Sequence, residues 1–377
     1  MSSVDVFALS IHADYQCRHS GACCSADWDV PVELPVYRSL RDAVEGGRLR
    51  PQASASHLDP FVVGPDLPHE AAAMLERTDV GECVFLERGS NLCLVHRDLG
   101  EAALPATCRH FPRLAVRDSR GTFITLSHFC PTAASMLFRE ACPLDVVSAP
   151  PAFPSAEYEG LVVTGDDLPP LLSPTMLMDL PGYSAWERHM IARCADADRL
   201  PESVLATLHR DALILRTWRP GGPSLVDAVK GLPREWAGDD VHQTITASVV
   251  RHAEAMDAVP HDLKPMPDEQ GLDVAFTEFV RPAWREFRGP LNRYLGAKAF
   301  ASWTAYQGRG VATIVAGLEA ALSLVRVEAA RQCRNAGRPL DAALLLEAIR
   351  SADFTLNHLA VGEDLAAIWS AAEQRGS

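Results

Sequence analysis

A concentration of cysteines in the first third of the chain constrains its fold most strongly. Seven of the ten cysteines fall there: Cys17, Cys23, Cys24, Cys83, Cys93, Cys108 and Cys130. Each lies beside a turn residue, a histidine or a short apolar run, as expected where several short loops converge on one metal ion or cluster. The pattern predicts a small cysteine-rich module at the N-terminal end.

The expected redox environment favours metal binding over disulfides. The first five residues, Met1-Ser2-Ser3-Val4-Asp5, contain neither a basic segment nor a long apolar run, so no secretory signal is visible and we expect a cytoplasmic protein. In a reducing cytosol, clustered thiols are more often metal or redox sites than a disulfide framework. The adjacent pair Cys23-Cys24 points the same way, because neighbouring cysteines rarely bridge each other.

The residues leave the type of metal open. Zinc usually binds paired C-x2-4-C knuckles, and this chain has none. Iron–sulfur clusters accept four thiolates from dispersed loops, and a closing Cys-Pro step, here Cys130-Pro131, recurs in ferredoxins. We therefore predict an iron–sulfur cluster of the 4Fe–4S type, with zinc or mononuclear iron as the alternative and no metal as a third outcome. Some of the seven thiols must be spare, and nearby histidines can also replace a thiolate: His19, His96, His110 and His128.

The cysteine segments resemble a known protein family. Residues 17–24 read C-R-H-S-G-A-C-C and are similar to the signature C-x-x-C-x-x-C-C of a zinc- or iron-chelating cysteine-cluster family, with Ser20 in place of the second cysteine. Further segments resemble the flagellin lysine-N-methylase branch of that family. They are Cys23-Cys24 with Trp28, Cys83-Val84-Phe85-Leu86, Leu92-Cys93-Leu94-Val95, Leu99-Gly100 to Leu104, Cys108-Arg109-His110-Phe111-Pro112-Arg113, and Ser127 to Ala134.

The resemblance continues into the second half of the chain, through residues 291–295 with Phe300 and through Asn357-His358-Leu359. It implies an iron–sulfur protein that transfers a methyl group from S-adenosylmethionine to lysine side chains of a protein substrate such as flagellin. Because Ser20 departs from the signature, the ligand set implied by the family needs a serine oxygen or a spare thiol. Two other functions stay open: a non-enzymatic iron–sulfur protein for electron transfer, and a structural zinc protein.

A methyltransferase of this kind would need an unfamiliar donor site, because the chain has no G-x-G-x-x-G motif of a Rossmann fold. We expect that site in the cleft between the cysteine module and the helical half. Arg109 and Arg113 are candidates to bind the donor's carboxylate or to balance an anionic cluster, and pairing with nearby acidic side chains is the simpler alternative. The substrate amine must lose a proton before it attacks, which requires a base. The candidates are Asp27, Asp29 and the region of Tyr294.

Charge and hydropathy exclude two kinds of partner. The chain has 377 residues and a net charge of −14, and no Lys/Arg run is present, so a nucleic-acid surface is not expected. Its most apolar stretch, residues 311–325, is interrupted by Glu319 and is shorter than a membrane span requires. We therefore predict no nucleic-acid partner and no membrane insertion.

Periodicity predicts an α+β protein that is mainly α. We expect a cysteine-cluster metal-binding module over residues 1–145, a proline-rich linker over 146–174 and an all-α helical domain over 175–377. Within the module, residues 36–49 and 69–77 are predicted helices, and hairpins are predicted over 83–95 and 114–126. A further helix is expected over 132–140 and one strand over 161–163. The helices predicted beyond the linker cover residues 185–194, 203–218, 224–229, 240–256, 272–287, 290–300, 310–336, 340–352 and 363–373.

Overall fold

The computed structural model describes residues 5–26, 28–52, 59–65, 67–68, 70–154, 158, 160–162, 170–237, 245–264, 270–307 and 309–375. Its 53% helix and 12% strand confirm the predicted α+β, mainly α, class. The strands, in chain order, are β1 (Val6–Leu9), β2 (Pro31–Glu33), β3 (Phe61–Val62), β4 (Ala71–Leu75), β5 (Leu86–Glu87), β6 (Leu92–Cys93), β7 (Arg113–Asp118), β8 (Gly121–Leu126), β9 (Val146–Ser148), β10 (Gly160–Val162), β11 (Leu171–Ser173) and β12 (Met176–Leu177).

Among the described residues, five α-helices precede residue 150 and ten follow it, so helices dominate the second half as predicted. They are α1 (Ala22–Ser25), α2 (Leu34–Glu45), α3 (Leu94–Leu99), α4 (Ala106–His110), α5 (Pro131–Met136), α6 (Leu180–Cys194), α7 (Pro201–Leu215), α8 (Leu225–Lys230), α9 (Ile245–Asp257), α10 (Leu272–Ala275), α11 (Arg281–Trp284), α12 (Arg288–Ala299), α13 (Val311–Ala336), α14 (Ala342–Phe354) and α15 (Gly362–Arg375). Two π-helical turns, Phe276–Val280 and Thr355–Leu359, lie among the later helices.

The larger sheet has five strands in the order β10-β7-β8-β1-β9. The hairpin predicted over residues 114–126 is confirmed as β7 and β8, which pair antiparallel from Arg113 and Leu126 to Asp118 and Gly121. Every residue of β8 is buried, because the strand lies at the centre of the sheet. Gly121 allows the close passage of the first strand, since a Cβ there would lie 2.5 Å from the carbonyl oxygen of Asp5.

Strands from the proline-rich region join this sheet. β9 pairs antiparallel with β1, and β10 pairs parallel with β7. The strand predicted over residues 161–163 is β10, and residue 163 lies outside the described residues. The three-part domain division stays a prediction, but residues 146–148 and 160–162 extend the sheet that begins in the cysteine module.

A second sheet and a short hairpin hold the cysteine segments. β4 pairs with both β2 and β3, so the helix predicted over residues 69–77 is wrong. Its alanines favour a helix in isolation, but pairing on both edges overrides that preference. The predicted hairpin over residues 83–95 is present as β5 and β6, and α3 begins directly after it.

The helical half is built around α13, a 26-residue helix. Helices α7, α9, α14 and α15 pack around it, and its buried side chains belong to one core that also takes in Leu9, Val116 and Phe123 from the sheet. The helix predicted over residues 272–287 is present as a continuous helical run, in which a π-helical turn joins α10 to α11 and Pro282 lies in the first turn of α11. The first residues of the helix predicted over 240–256 lie outside the described residues. None of the described helices is long and apolar enough to span a bilayer.

Candidate metal centre

Helix α1 brings two cysteines to the β5–β6 hairpin. Gly21 precedes α1 with a φ of 73°, and a Cβ at this position would lie 2.7 Å from the carbonyl oxygen of Asn91. Only glycine combines this backbone angle with so close an approach. The contact sets Cys23 and Cys24 beside the strand that carries Cys93.

Backbone hydrogen bonds connect the remaining segments. The N–H of Cys83 donates to the carbonyl oxygen of Cys24 at 2.7 Å, and the N–H of Leu94 donates to the carbonyl oxygen of Phe85 at 2.8 Å. Cys83 also forms an isolated bridge with Arg77, next to β4. Three segments that are distant in sequence therefore meet at one point.

The sulfur atoms of these segments are neighbours. Cys24 Sγ lies 3.9 Å from Cys23 Sγ, and the thiols of Cys83 and Cys93 lie close enough to shift the pKa of Cys24. We call Cys23, Cys24, Cys83 and Cys93 the thiol cluster. Cys108, on α4, lies within electrostatic range of three members of this cluster. The structure thus brings together five of the seven predicted ligands.

Hydrogen bonding and burial set the charge of these thiols. Interaction with these three thiols raises the pKa of Cys24, and interaction with Cys24 lowers the pKa of Cys93 to about 7. Burial raises the pKa of Cys108. Because adjacent thiolates repel one another, the cluster can lose all its protons only with a cation among them.

Cys17 and Cys130 lie at the edge of this group. Cys17 is exposed, accepts a hydrogen bond from the N–H of His19 at 3.4 Å, and is within electrostatic range of both Cys23 and Cys130. Cys130 is buried, with its Sγ 3.7 Å from the hydroxyl of Tyr15. All ten cysteines, each within the described part of the chain, are free thiols.

The sulfurs do not form a complete coordination shell as they stand. In the described residues, no three His, Cys, Asp or Glu side chains are positioned to hold a metal ion. The rings of His19 and His96 are tilted against each other with centroids 4.7 Å apart, whereas the His128 ring lies 5.3 Å from that of His12. The metal ligand set predicted from the sequence stays a prediction.

Of the two arginines predicted to bind a cofactor, Arg109 lies on α4 and Arg113 is the first residue of β7. Arg113 donates to the carbonyl oxygen of Arg109 at 3.0 Å, and its guanidinium lies over the rings of Tyr15 and Phe153. Its Nε is buried without a hydrogen-bond partner among the described residues. These contacts give Arg113 a packing role and leave its predicted role in donor binding untested.

A second buried polar group joins the cysteine module to the helical half. At its centre is the carboxylate of Asp353 on α14, which is fully buried. It accepts hydrogen bonds from the N–H of His128 at 2.6 Å, Asn357 Nδ2 at 2.8 Å, Lys298 Nζ at 2.9 Å, and the hydroxyls of Ser127 and Tyr294 at 3.2 Å each. We call these six residues the carboxylate cluster.

The carboxylate cluster keeps Asp353 ionised. Burial alone would raise its pKa, but Lys298 and His128 outweigh burial and hold the pKa at about 2. His358 contacts the cluster through its Nε2, which lies 2.7 Å from Ser127 Oγ, and burial lowers the pKa of His358 to about 4. At neutral pH the group therefore contains an ionised Asp353 and a neutral His358.

The sequence prediction included Tyr294 as a candidate base but missed Asp353 and Lys298. A signal for Asp353 was present, because it continues the buried face of α14 at a spacing of four residues after Leu345 and Ile349. Asp29 lies near Trp28, whose ring packs against those of Phe111 and His358. Asp27 lies outside the described residues.

A partly open cavity of about 260 Å³ lies between the β7–β8 hairpin and the helical half. Leu114, Thr125 and Leu126 form the wall on the sheet side, and Lys298 and Asn357 bring the edge of the carboxylate cluster to it. This is the cleft in which we predicted a donor site.

Comparisons with known proteins leave the family open. No protein family, curated protein or solved structure matches this chain. The resemblance to the cysteine-cluster family and its lysine-methylase branch therefore remains a prediction from the sequence.

Proposed function

We propose that this chain is a metalloprotein whose N-terminal thiols hold an iron–sulfur cluster. One observation carries the proposal: the thiols of Cys23, Cys83 and Cys93, from three separate segments, lie close enough to Cys24 to shift its pKa, and Cys23 Sγ is 3.9 Å from Cys24 Sγ. In a cytoplasmic protein such a convergence of free thiols is typical of metal sites. Cytoplasmic localisation is part of the same proposal.

The thiol ligands fit the proposed iron–sulfur cluster. Cys23, Cys24, Cys83 and Cys93 supply four thiols, the number that iron–sulfur clusters require, and Cys108 is a fifth within electrostatic range. Thiolates are soft ligands that select iron–sulfur clusters or zinc over magnesium and calcium. The thiols would have to rotate to bind an iron–sulfur cluster. The bound iron–sulfur cluster would then supply electron transfer or Lewis acidity.

Zinc is the second candidate, and one distance favours it. With Zn–S bonds of about 2.3 Å, two sulfurs of a tetrahedral site lie about 3.8 Å apart. Cys23 Sγ and Cys24 Sγ are 3.9 Å apart. A zinc site would make the module structural, because such sites contribute folding free energy directly.

We further propose methyl transfer from S-adenosylmethionine to lysine side chains of a protein substrate such as flagellin. The resemblance in sequence is the basis, and the packing adds support: residues 291–295 and 357–359 meet the Ser127 to Pro131 segment through the carboxylate cluster. In this reaction the amine nitrogen forms a bond to the methyl carbon, the sulfonium bond breaks, and the amine proton passes to a base. Asp353 is unsuited to that role because its pKa is about 2.

Metal analysis and a methylation assay test these proposals separately. Protein purified without oxygen is expected to contain iron and acid-labile sulfide, and Cys24→Ala should lose both, whereas Cys142→Ala should retain them because Cys142 lies outside the cluster. The purified protein is then incubated with S-adenosylmethionine and a lysine-rich protein, and methyl-lysine is measured. Iron and sulfide without methyl-lysine would leave a non-enzymatic iron–sulfur protein. Zinc without sulfide would favour the structural alternative.

A further inference from the structure

The cavity between the β7–β8 hairpin and the helical half carries a positive charge, although the protein as a whole is acidic. The whole chain carries a net charge of −14, yet Lys298 is the one charged side chain among the described residues that line the cavity. Asp353, the partner of Lys298, does not belong to the lining. The ion pair therefore presents its positive end to the cavity.

Lys298 retains a donor for a ligand. Its ammonium carries three N–H groups, and its partners in the described residues are the Asp353 carboxylate at 2.9 Å and Asn357 Oδ1 at 3.0 Å. The two bonds fix the position of Nζ, and the third N–H is left over. A fixed ammonium at the wall of a largely apolar cavity binds an anionic oxygen by a charge-assisted hydrogen bond.

The indole ring of Trp369, which is 7% exposed, also lines the cavity. The six-membered ring of the same indole lies against Gly317, where a Cβ would be 2.9 Å from the ring.

The rest of the wall is suited to an apolar body. Phe300, Leu318 and Leu365 line the interior, and Trp303, 45% exposed, lies at the open side. A volume of about 260 Å³ equals that of roughly nine water molecules at about 30 Å³ each. That room suits a ligand of the size of an amino acid or a small aromatic acid.

We propose that this cavity binds a small organic carboxylate with an aromatic or aliphatic body, whose carboxylate accepts a hydrogen bond from Lys298. The inference goes beyond the proposed metal centre and does not depend on it. Binding would occur whether the thiols hold iron, zinc or neither.

A matched pair of probes tests the charge requirement. Titration calorimetry with 3-phenylpropanoate and with its neutral amide, 3-phenylpropanamide, compares two ligands of nearly equal shape. The acid is expected to bind the full chain about tenfold or more tightly than the amide, because only the acid forms a charge-assisted bond with Lys298. Equal binding of the two probes, or no saturable binding of the acid, would overturn the proposal.

Two variants test the location. Thr304→Trp fills the cavity at a half-buried lining position and is expected to abolish binding of the acid, whereas Thr217→Trp makes the same change at an exposed position beyond α7 and should leave it unchanged. Lys298→Met should remove the preference for the acid. If Lys298→Met does not fold, the comparison of the two probes and the Thr304→Trp result still decide. Undiminished binding to Thr304→Trp would place the ligand elsewhere and refute the inference.

Discussion

The thiol cluster and the carboxylate cluster are both buried, but their polar groups are satisfied in opposite ways. Asp353 is surrounded by donors, among them the ammonium of Lys298, and its pKa stays at about 2. Cys24 is surrounded by other thiols, and its pKa is raised by interaction with them. A buried charge is stable where opposite charges and donors face it. The thiols have fewer such partners: backbone N–H groups at Cys83 and Cys93, and Arg77 near Cys83.

The difference indicates that the thiol cluster, and not the carboxylate cluster, needs a bound metal. The carboxylate cluster supplies its own counter-charge from α12 and its donors from Ser127, Tyr294 and Asn357. It can therefore order the junction between sheet and helices without a cofactor. The thiol cluster gathers ligands from α1, the Cys83 segment and β6, and Arg77 is a cation that acts on Cys83. One guanidinium cannot balance four thiolates, so the arrangement is one that a metal would complete.

Loss of one central thiol should have the largest effect. Cys24→Ala removes the sulfur that contacts Cys23, Cys83 and Cys93, so we expect metal content to fall close to zero and the N-terminal module to unfold at lower temperature. Metal analysis and thermal unfolding by circular dichroism measure both effects. Cys142→Ala is the matched control, and equal metal content in the two variants would contradict the role assigned to the thiol cluster.

Neutralising Asp353 should have the next largest effect. Asp353→Asn leaves Lys298 without its counter-charge in a buried site, which costs about 3 kcal/mol in the free energy of unfolding. Asp198→Asn is the control, because its side chain is 95% exposed and the change should cost less than about 0.5 kcal/mol. Urea denaturation gives both values. Similar losses in the two variants would show that the carboxylate cluster does not stabilise the junction.

A second buried carboxyl group, that of Glu187, extends the comparison to the pH dependence of stability. Burial raises the pKa of Glu187 from 4.5 to about 7, despite Arg120 at 3.7 Å and a hydrogen bond from the N–H of Ala301. Because the folded state holds this proton more tightly than the unfolded state, the stability contributed by neutral Glu187 is present below about pH 4.5 and is lost as the pH rises towards 7. The loss is up to about 3 kcal/mol.

Denaturation at several pH values tests this expectation. Glu187→Gln cannot ionise, so its stability should change less between about pH 4.5 and 7 than that of the unmodified chain. Asp353 does not contribute in this range, since its pKa is about 2. Identical pH profiles for the two proteins would mean that Glu187 is ionised throughout.

Removing a single donor from Asp353 should have the smallest effect. Ser127→Ala deletes one of its five hydrogen bonds and the contact with His358, and four donors remain. We expect a loss of about 1 kcal/mol in the free energy of unfolding. A loss as large as that of Asp353→Asn would indicate that the hydroxyl, rather than Lys298, dominates the cluster.

The sequence predicted the fold class because its strongest signals are local. Periodic apolar residues mark α13, and a turn between apolar runs marks the β7–β8 hairpin. The prediction failed for β4, where alanines indicated a helix and pairing with β2 and β3 decided otherwise. Around residue 282 the predicted helix is present, but the apolar pattern did not reveal the π-helical turn that precedes the turn with the proline.

The candidate site was predictable in part for the same reason. Cysteines in a reducing environment have few roles, so the segments that carry them were expected to meet, and five of the thiols do. Asp353 and Lys298 were missed because they lie 55 residues apart in sequence and their pairing depends on how α12 and α14 both pack against α13. A buried aspartate on a helix face is the one local sign of such a pair.

The most direct test of the account is the iron, zinc and acid-labile sulfide content of the protein purified without oxygen. The thiol cluster predicts bound metal at about one centre per chain, with iron and sulfide for the proposed cluster or zinc alone for the alternative. Protein that is fully folded, metal-free and unable to bind either metal on reconstitution would contradict the central claim.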